Sequence, residues 1–377
     1  MPTTDGAHDT GRGCNSLLDA ILQRAEESRV PLEAHLELTH RCNAQCVHCY
    51  CVVRDGLREA KQRELTTHEV TRVLDDLAEM GTLYVIFSGG EVLVREDFFE
   101  IAAHAKRRGF AFRVFTNAIG LDEARSQRLA AVEPLSVELS IYSADPQVHD
   151  GITRVPGSFD RLIENATRLK TLGVRIYLKS VVMKPNLAGL EQLHRLGKEL
   201  GVFVHVYGCE LSPSIAGDAH GPDRYQLDQE ELFDYFASPV WNKRLTPISG
   251  GSSEEAAARR SACAPGVNGC CLDPYGNVLP CVALRTPMGN IRERSFQDIW
   301  KSMLPSLEPF LDVRTYADLP ECRSCELVDF CHRCHGDNLL ARGDDWRSCH
   351  SRARMIAGAE RTLYQSRIRE MQGVQHE

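Results

Sequence analysis

Fifteen cysteines in 377 residues constrain this chain more than any other feature, because they are not spread evenly. Cys42, Cys46 and Cys49 form one CxxxCxxC group, and nine more cysteines fall between Cys263 and Cys349. Thiols at such density are either a disulfide framework or metal ligands. Disulfides suit small secreted domains that cannot bury a sufficient core. This chain opens on polar residues rather than a signal-like apolar run, and it is long enough for one large domain and a smaller one. Metal ligation is therefore expected, and the odd number of cysteines agrees with it. A formal net charge of −8 without a clustered basic stripe argues against nucleic acid as a partner. No apolar run approaches the roughly 20 residues of a membrane-spanning helix, so a cytoplasmic protein without membrane contact is expected.

Between residues 31 and 207 short β-rich runs alternate with helix-period segments, the pattern of repeated βα units on a parallel sheet. Strands are predicted at 35–39, 83–88, 111–116, 136–142, 174–182 and 202–207, and helices at 67–79, 98–107, 122–131, 159–172 and 187–200. Gly81, Gly109, Gly173 and Gly201 sit just past helices, where a left-handed cap favours glycine. Six units are too few to close an eight-stranded barrel. The expected α/β fold is a partial (β/α)6 barrel, with a doubly wound sheet as the alternative on pattern alone. Residues 1–30 read as an N-terminal extension. Residues 208–260, broken by Gly217, Gly221, Pro222 and the Gly-Gly-Ser-Ser run at 250–253, read as a linker or bridge with a helix near 229–237. From 261 to 350 the chain is loop-rich and cysteine-rich, and a C-terminal helix is expected over about 351–369 within the last segment, 351–377. A segment so poor in apolar periodicity needs metal to fold.

The CxxxCxxC group falls in the loop directly after the first predicted strand. Three thiolates there can hold three irons of a 4Fe–4S cluster and leave the fourth open to an exchangeable ligand. A three-cysteine zinc site completed by His48 is the competing reading. One βα unit on, Ser88-Gly89-Gly90-Glu91 ends the second strand, with small residues that admit close backbone approach and a carboxylate suited to an amino group. In this order and on successive strand ends, the two segments resemble the radical S-adenosylmethionine superfamily. The resemblance implies that Cys42, Cys46 and Cys49 bind the cluster and that its open iron chelates the amino and carboxylate groups of S-adenosylmethionine. It implies reductive cleavage to a 5′-deoxyadenosyl radical, support of the amino group by Ser88, Gly89, Gly90 and Glu91, and Tyr50 near the adenine. Asn117 at the third strand end, Ser140 at the fourth and Lys179 on the fifth match positions of further cofactor contacts. Each equally fits polar barrel lining, and Ser140-Ile141-Tyr142-Ser143 departs from the SLDG that many members carry.

Farther on, Cys263, then Gly276 with Cys281 in GxxxxC spacing, then Cys322, Cys325, Cys331 and Cys334, then Cys349 resemble the SPASM domain. That domain is appended to radical S-adenosylmethionine enzymes that often modify peptides and proteins. The quartet has two residues before its last cysteine where the common form has three. The family's crossed connectivity implies one auxiliary cluster on Cys322, Cys325, Cys331 and Cys349 and another on Cys263, Cys281 and Cys334, completed by Cys270, by Cys271 or by substrate. Three 4Fe–4S clusters and S-adenosylmethionine are the implied cofactors. Two tetrahedral zinc sites are the competing reading of the same thiolates. Cys14, Cys51 and Cys209 stand outside these sets. Cys209 follows the sixth strand near the barrel mouth, where a thiol can donate a hydrogen atom to a substrate radical; a small buried apolar residue is the plainer reading.

The resemblance further implies a maturase of a ribosomally synthesised precursor peptide, which forms a crosslink, a thioether, a C–C bond or a rearranged backbone after hydrogen abstraction. An external donor of flavodoxin or ferredoxin type would supply the electron. The first 30 residues are too short for a leader-recognition domain, so a separate recognition protein is expected, or direct binding along the acidic and aromatic stretch 229–236. Formylglycine formation of the anaerobic sulfatase-maturase kind is disfavoured because Val282, not an acid, follows Cys281. Cofactor or haem biosynthesis and a non-catalytic metal or electron-transfer scaffold compete with the peptide reading.

Overall fold

The structure, a computed structural model, describes residues 17–51, 57–212, 222–238, 247 and 251–373. Cys14 and the linker glycines Gly217, Gly221 and Gly250 lie outside the described residues. The described chain divides into two compact units. One comprises 29–227 and 266–304; the other comprises 228–265, 305 onward and the N-terminal helix Leu17–Glu27.

The first unit is built on one sheet. Its strands are β1 (Glu33–Thr39), β2 (Tyr84–Gly89), β3 (Ala111–Thr116), β4 (Ser136–Ser140), β5 (Ile176–Ser180), β6 (Phe203–Val206), β7 (Gly269–Leu272), β8 (Asn277–Leu279) and β9 (Gly289–Asn290). They lie in the order β6-β5-β4-β3-β2-β1-β7-β8-β9. The first six run parallel in unbroken sequence order. Right-handed crossovers in such an order all step the same way and leave the helices on one face, so the sheet curls like an open barrel. A doubly wound sheet would reverse its order at a switch point. The expected partial barrel is thus observed. Beyond it, the segment read as loop-rich supplies β7, parallel to β1, and the antiparallel β8 and β9.

Helix Thr67–Met80 shows how the barrel's outer layer is encoded. Val70, Val73, Leu74 and Leu77 recur at helical spacing and are buried. Thr66 and Glu69 close a reciprocal capping box, and Gly81 ends the helix at φ 93°. On the sheet, residues facing the helices are apolar: Leu36, Phe87, Phe112, Leu139 and Leu178 are at most 1% exposed. Each large side chain so buried contributes about 1.5–3 kcal/mol. The alternate residues face the other way, and apart from Ile86 and Ala111 they are mostly polar or aromatic. Register sets His35 in one row with Arg113, and Phe115 in another with Glu138, Tyr177 and Phe203. Strand periodicity therefore gives the barrel a greasy outside and a reactive inside.

In the second unit, helix Gln229–Ala237 packs on the long helix Ser351–Gly373. Leu232, Tyr235 and Phe236 are buried, so most of the apolar side chains of the 229–236 stretch belong to the interior, while Phe233 is half-buried and Glu230 and Asp234 are exposed. The long helix also buries Glu360, whose carboxyl burial raises to about 7 against the opposing field of Arg260. Between about pH 4.5 and 7 the folded chain keeps a proton there that the unfolded chain has lost. Stability from this group therefore falls as pH rises through that window and stays low above it. Glu360→Gln is expected to be the more stable form at pH 8 by up to about 3 kcal/mol, with no gain at pH 4. Thermal melting at both pH values checks this. Among the described residues no helix is long and apolar enough to cross a membrane.

Candidate functional sites

In the barrel unit, the loop after β1 is pinned from several sides. Gln45 and Val47 donate backbone hydrogen bonds to Thr153 and Ile152, and Val47 sinks into a cluster with Tyr142, Ile152, Met183 and Leu211. Arg41 grips the Glu64 carboxylate with two nitrogens at 3.0 and 2.9 Å. The end of β2 locks against the same loop: Gly90 N–H donates to Thr39 at 2.7 Å and Glu91 N–H to Arg41 at 3.0 Å. A Cβ at Gly89, which sits at φ 126°, would lie 2.1 Å from the Thr39 carbonyl oxygen, and one at Gly90 would lie 2.3 Å from that of Arg41. The Gly-Gly pair is therefore required by the approach of two backbones. Gly90→Ala is expected to cost about 1–3 kcal/mol as an overpacked contact and to lower the iron bound per chain on reconstitution; unchanged melting and iron content would contradict the packing argument.

The three thiols of this loop sit together under polar cover. Cys42 Sγ accepts from the backbone N–H of Ala44 at 3.4 Å and from Asn117 Nδ2 at 3.6 Å. Burial first, then the charges of Glu91, Cys46 and Cys49, push the Cys42 thiol well above its usual range. Three such thiols become thiolates together only around a strong cation, which is what the irons of a cluster provide. Asn117 Nδ2 also reaches the side chain of Asn43 at 2.8 Å. Glu91 is 1% exposed and accepts from Leu93 N–H, Thr116 Oγ1 and Asn117 N–H at 3.0, 2.7 and 2.7 Å. Two of these three bonds tie the end of β2 to the end of β3, the third closes the local turn onto Leu93, and three of the carboxylate's roughly four acceptor positions are thus spent.

Glu37, His40 and Arg285, which belong to no recognisable motif, complete this floor. The Glu37 carboxylate, buried at the end of β1, accepts from Tyr50 Oη at 3.2 Å, Arg285 at 2.9 Å and His40 at 3.0 Å. Burial alone would raise Glu37, but the His40 hydrogen bond and the Arg285 charge outweigh it and hold the carboxyl at about 2. Tyr50 is thereby fixed beside the cysteine loop. Ser88 pairs with the half-buried His35, whose ring is held neutral by desolvation. His48 is likewise held neutral by burial and packs edge-on against Tyr142.

The remaining barrel candidates line the inner face. Ser140 pairs in register with Lys179. Lys179 Nζ lies 3.3 Å from Glu138 and 3.2 and 4.3 Å from the ring centres of Phe115 and Tyr207, and burial lowers its pKa to about 8. Its partners here are therefore an acid on β4 and two rings, one on β3 and one just past β6. Cys209 is buried just past β6. Cys271 shares a row with His35 on the inner face, within the field of Cys281, whereas Cys270 shares a row with Ala34 and points into the helix layer. Register thus sets Cys270 and Cys271 on opposite faces of the sheet.

In the second unit, Cys322, Cys325, Cys331 and Cys349 line one cavity together with Tyr316 and Arg354. A run of tight turns presents the thiols: Cys325 N–H donates to Cys322, Val328 N–H to Cys325, and Cys331 N–H to Val328. Burial pushes the Cys331 thiol up to about 12. Cys334 is turned away, capping helix His335–Arg342 by accepting from Asp337 N–H at 3.5 Å. Cys263 belongs to this unit and Cys281 to the barrel unit, where Leu284 N–H donates to its sulfur at 3.2 Å. Among the described residues no group of His, Cys, Asp or Glu is arranged to hold a single metal ion. A 4Fe–4S cluster makes a different demand, four thiolates spread around a cavity with one on each iron, and four thiols line this one cavity.

A one-way wound partial barrel with three thiols at the end of its first strand defines a cluster-bearing enzyme class. Residues 36–196 match the model of the Radical SAM superfamily, and residues 263–335 match that of SPASM, an iron-sulfur cluster-binding domain. The AdoMet-dependent heme synthase of Methanosarcina barkeri is 29% identical across 82% of this chain and 92% of its own length. The PqqA peptide cyclase of Granulibacter bethesdensis is 30% identical across 87% of this chain and 84% of its own. In fold, the crystal structure of Streptococcus suis SuiB bound to precursor peptide SuiA aligns with a TM-score of 0.66 at 18% identity, covering 89% of this chain and 80% of that one. The chain belongs to the radical S-adenosylmethionine superfamily and carries a SPASM domain. Its cofactors are accordingly S-adenosylmethionine and 4Fe–4S clusters.

Proposed function

We propose that this enzyme modifies a ribosomally made precursor peptide after removing a hydrogen atom from one of its residues. The observation that carries this reading is the 30% identity to a peptide cyclase, sustained over 84% of that relative. The shared fold with a protein that binds a precursor peptide supports it. When bound, the cofactor and the Cys42–Cys46–Cys49 cluster supply a 5′-deoxyadenosyl radical by one-electron reductive cleavage. The chain's own residues position the parts. Tyr50, clamped by Glu37, forms one wall. The free acceptor position of Glu91 receives the amino group. The inner-face cluster of Lys179, Glu138 and Tyr207 meets the substrate side of the barrel. Within this reading Cys209 is the candidate hydrogen-atom donor; a Cys209→Ala protein that still forms product at the normal rate removes that role. The separate recognition protein and the flavodoxin or ferredoxin donor belong to the same proposal.

A second reading is favoured by one observation, the heme synthase that aligns over 92% of its length. Anaerobic turnover with the candidate precursor peptide and, separately, with a haem precursor distinguishes the two. A changed peptide mass with 5′-deoxyadenosine formed in step supports the proposal. Deoxyadenosine formation coupled only to the haem precursor moves the enzyme to the second reading.

A further inference from the structure

We propose that Arg260, Arg333 and Arg354 form a cationic layer around the Cys322, Cys325, Cys331 and Cys349 cavity and hold its cluster at a raised reduction potential. The inference rests on that cavity being a cluster site, not on the identity of the substrate. A cluster on four thiolates carries net negative charge that deepens by one unit on reduction, so nearby positive charge favours the reduced form. Hydrogen bonds to its sulfurs act in the same direction.

Each arginine is placed by the fold. Arg333 is 8% exposed and gives two of its nitrogens to the carbonyls of Ser348 and Trp346. Its Nε is buried without a hydrogen-bond partner, and its guanidinium acts on the Cys322 thiol. A buried N–H left over beside a ligand thiol is a donor waiting for a sulfur. Arg260 is 9% exposed, donates to the Val328 carbonyl, covers the Tyr316 ring at 4.5 Å and acts on Cys331. Arg354 lines the cavity itself and acts on Cys349. Against these three charges the lining carries one exposed carboxylate, Glu321, which already accepts from Cys349 N–H at 3.0 Å. Glu326 is paired with Arg361 at 2.8 Å, and Glu360 faces Arg260 from the long helix. The balance around the thiols is positive.

The test is a redox titration followed by electron paramagnetic resonance on the reconstituted full chain, with Cys42, Cys46 and Cys49 replaced by Ala so that only auxiliary clusters report. Arg333→Gln is expected to change the oxidised-to-reduced ratio of one cluster at least tenfold at a fixed potential, about 59 mV for a one-electron couple, towards oxidation. Arg354→Gln, at the surface, should move the same cluster in the same direction by less, and Arg354→Lys should leave it in place. The other auxiliary cluster serves as the internal reference. Unmoved midpoints with full iron in Arg354→Gln overturn the proposal, as does an equal shift in Arg354→Gln and Arg354→Lys. If Arg333→Gln fails to keep its iron, the two Arg354 variants decide alone. Cys325→Ser separates this from a failure of the site: unchanged iron there shows that the cavity holds no cluster.

Discussion

A protein with Cys42, Cys46 and Cys49 all replaced by Ala is expected to form no 5′-deoxyadenosine from S-adenosylmethionine and dithionite. Its iron should fall by about four per chain from about twelve. The loss should be chemical rather than structural, because the loop does not depend on its thiols for its shape. Val47 is buried among apolar side chains, Arg41 is clamped by Glu64, and the Gly90 and Glu91 amides hold the backbone. Circular dichroism and melting should therefore remain close to those of the wild type. Residual deoxyadenosine in this protein would refute radical generation at these cysteines.

Cys325→Ser is expected to act on stability as well as chemistry. The turns from Cys322 to Cys331 bury little besides their own thiols, Val328 and Phe330, so bound metal would supply much of what orders them. Loss of about four irons and a fall in melting temperature of about 4–8 °C per kcal/mol lost for a unit of this modest size are expected. Because the Cys42 loop lies in the other unit, cofactor cleavage should persist while product formation stops. Iron quantification, calorimetry and parallel assays for deoxyadenosine and product check all three. Unchanged iron and melting temperature would show the cavity to be no cluster site.

Much of this was legible in the sequence because local signals and long-range order agreed. Helix Phe98–Arg107 and strand Ala111–Thr116 lie at their expected bounds, since a 3.6-residue apolar period and a period of two leave little freedom there. Helix Pro146–Thr153 has no counterpart among the expected elements, although Asp145 caps it by accepting from Gln147 N–H and Pro146 starts it. Its eight residues show too short a period to stand out beside the preceding strand. β7, β8 and β9 have four, three and two residues, and a partner on β1 is what makes the first of them a strand. In the site, cysteine spacing announced itself, whereas the crossed assignment came with the resemblance; in the structure Cys322, Cys325, Cys331 and Cys349 share a cavity while Cys334 caps a helix. Glu37 left a faint trace, a charge between Leu36 and Leu38 in the alternating strand Glu33–Thr39. Arg285 left none, because the carboxylate that gives it meaning is 248 residues away.

The place of β1 in the sheet also sets the order in which this protein can be made. The strand that leads into the Cys42 loop is flanked by β2 on one edge and by β7, residues Gly269–Leu272, on the other. As the chain leaves the ribosome, β1 to β6 can pair as they appear, yet the outer edge of β1 stays open until much of the remaining sequence has been synthesised. An open edge is a template for pairing with another chain, and such contacts between distant segments form slowly. A nascent chain that stops short of β7 should therefore be prone to aggregate, and metal loading of the Cys42 loop becomes safest only once β7 has closed the edge beside it.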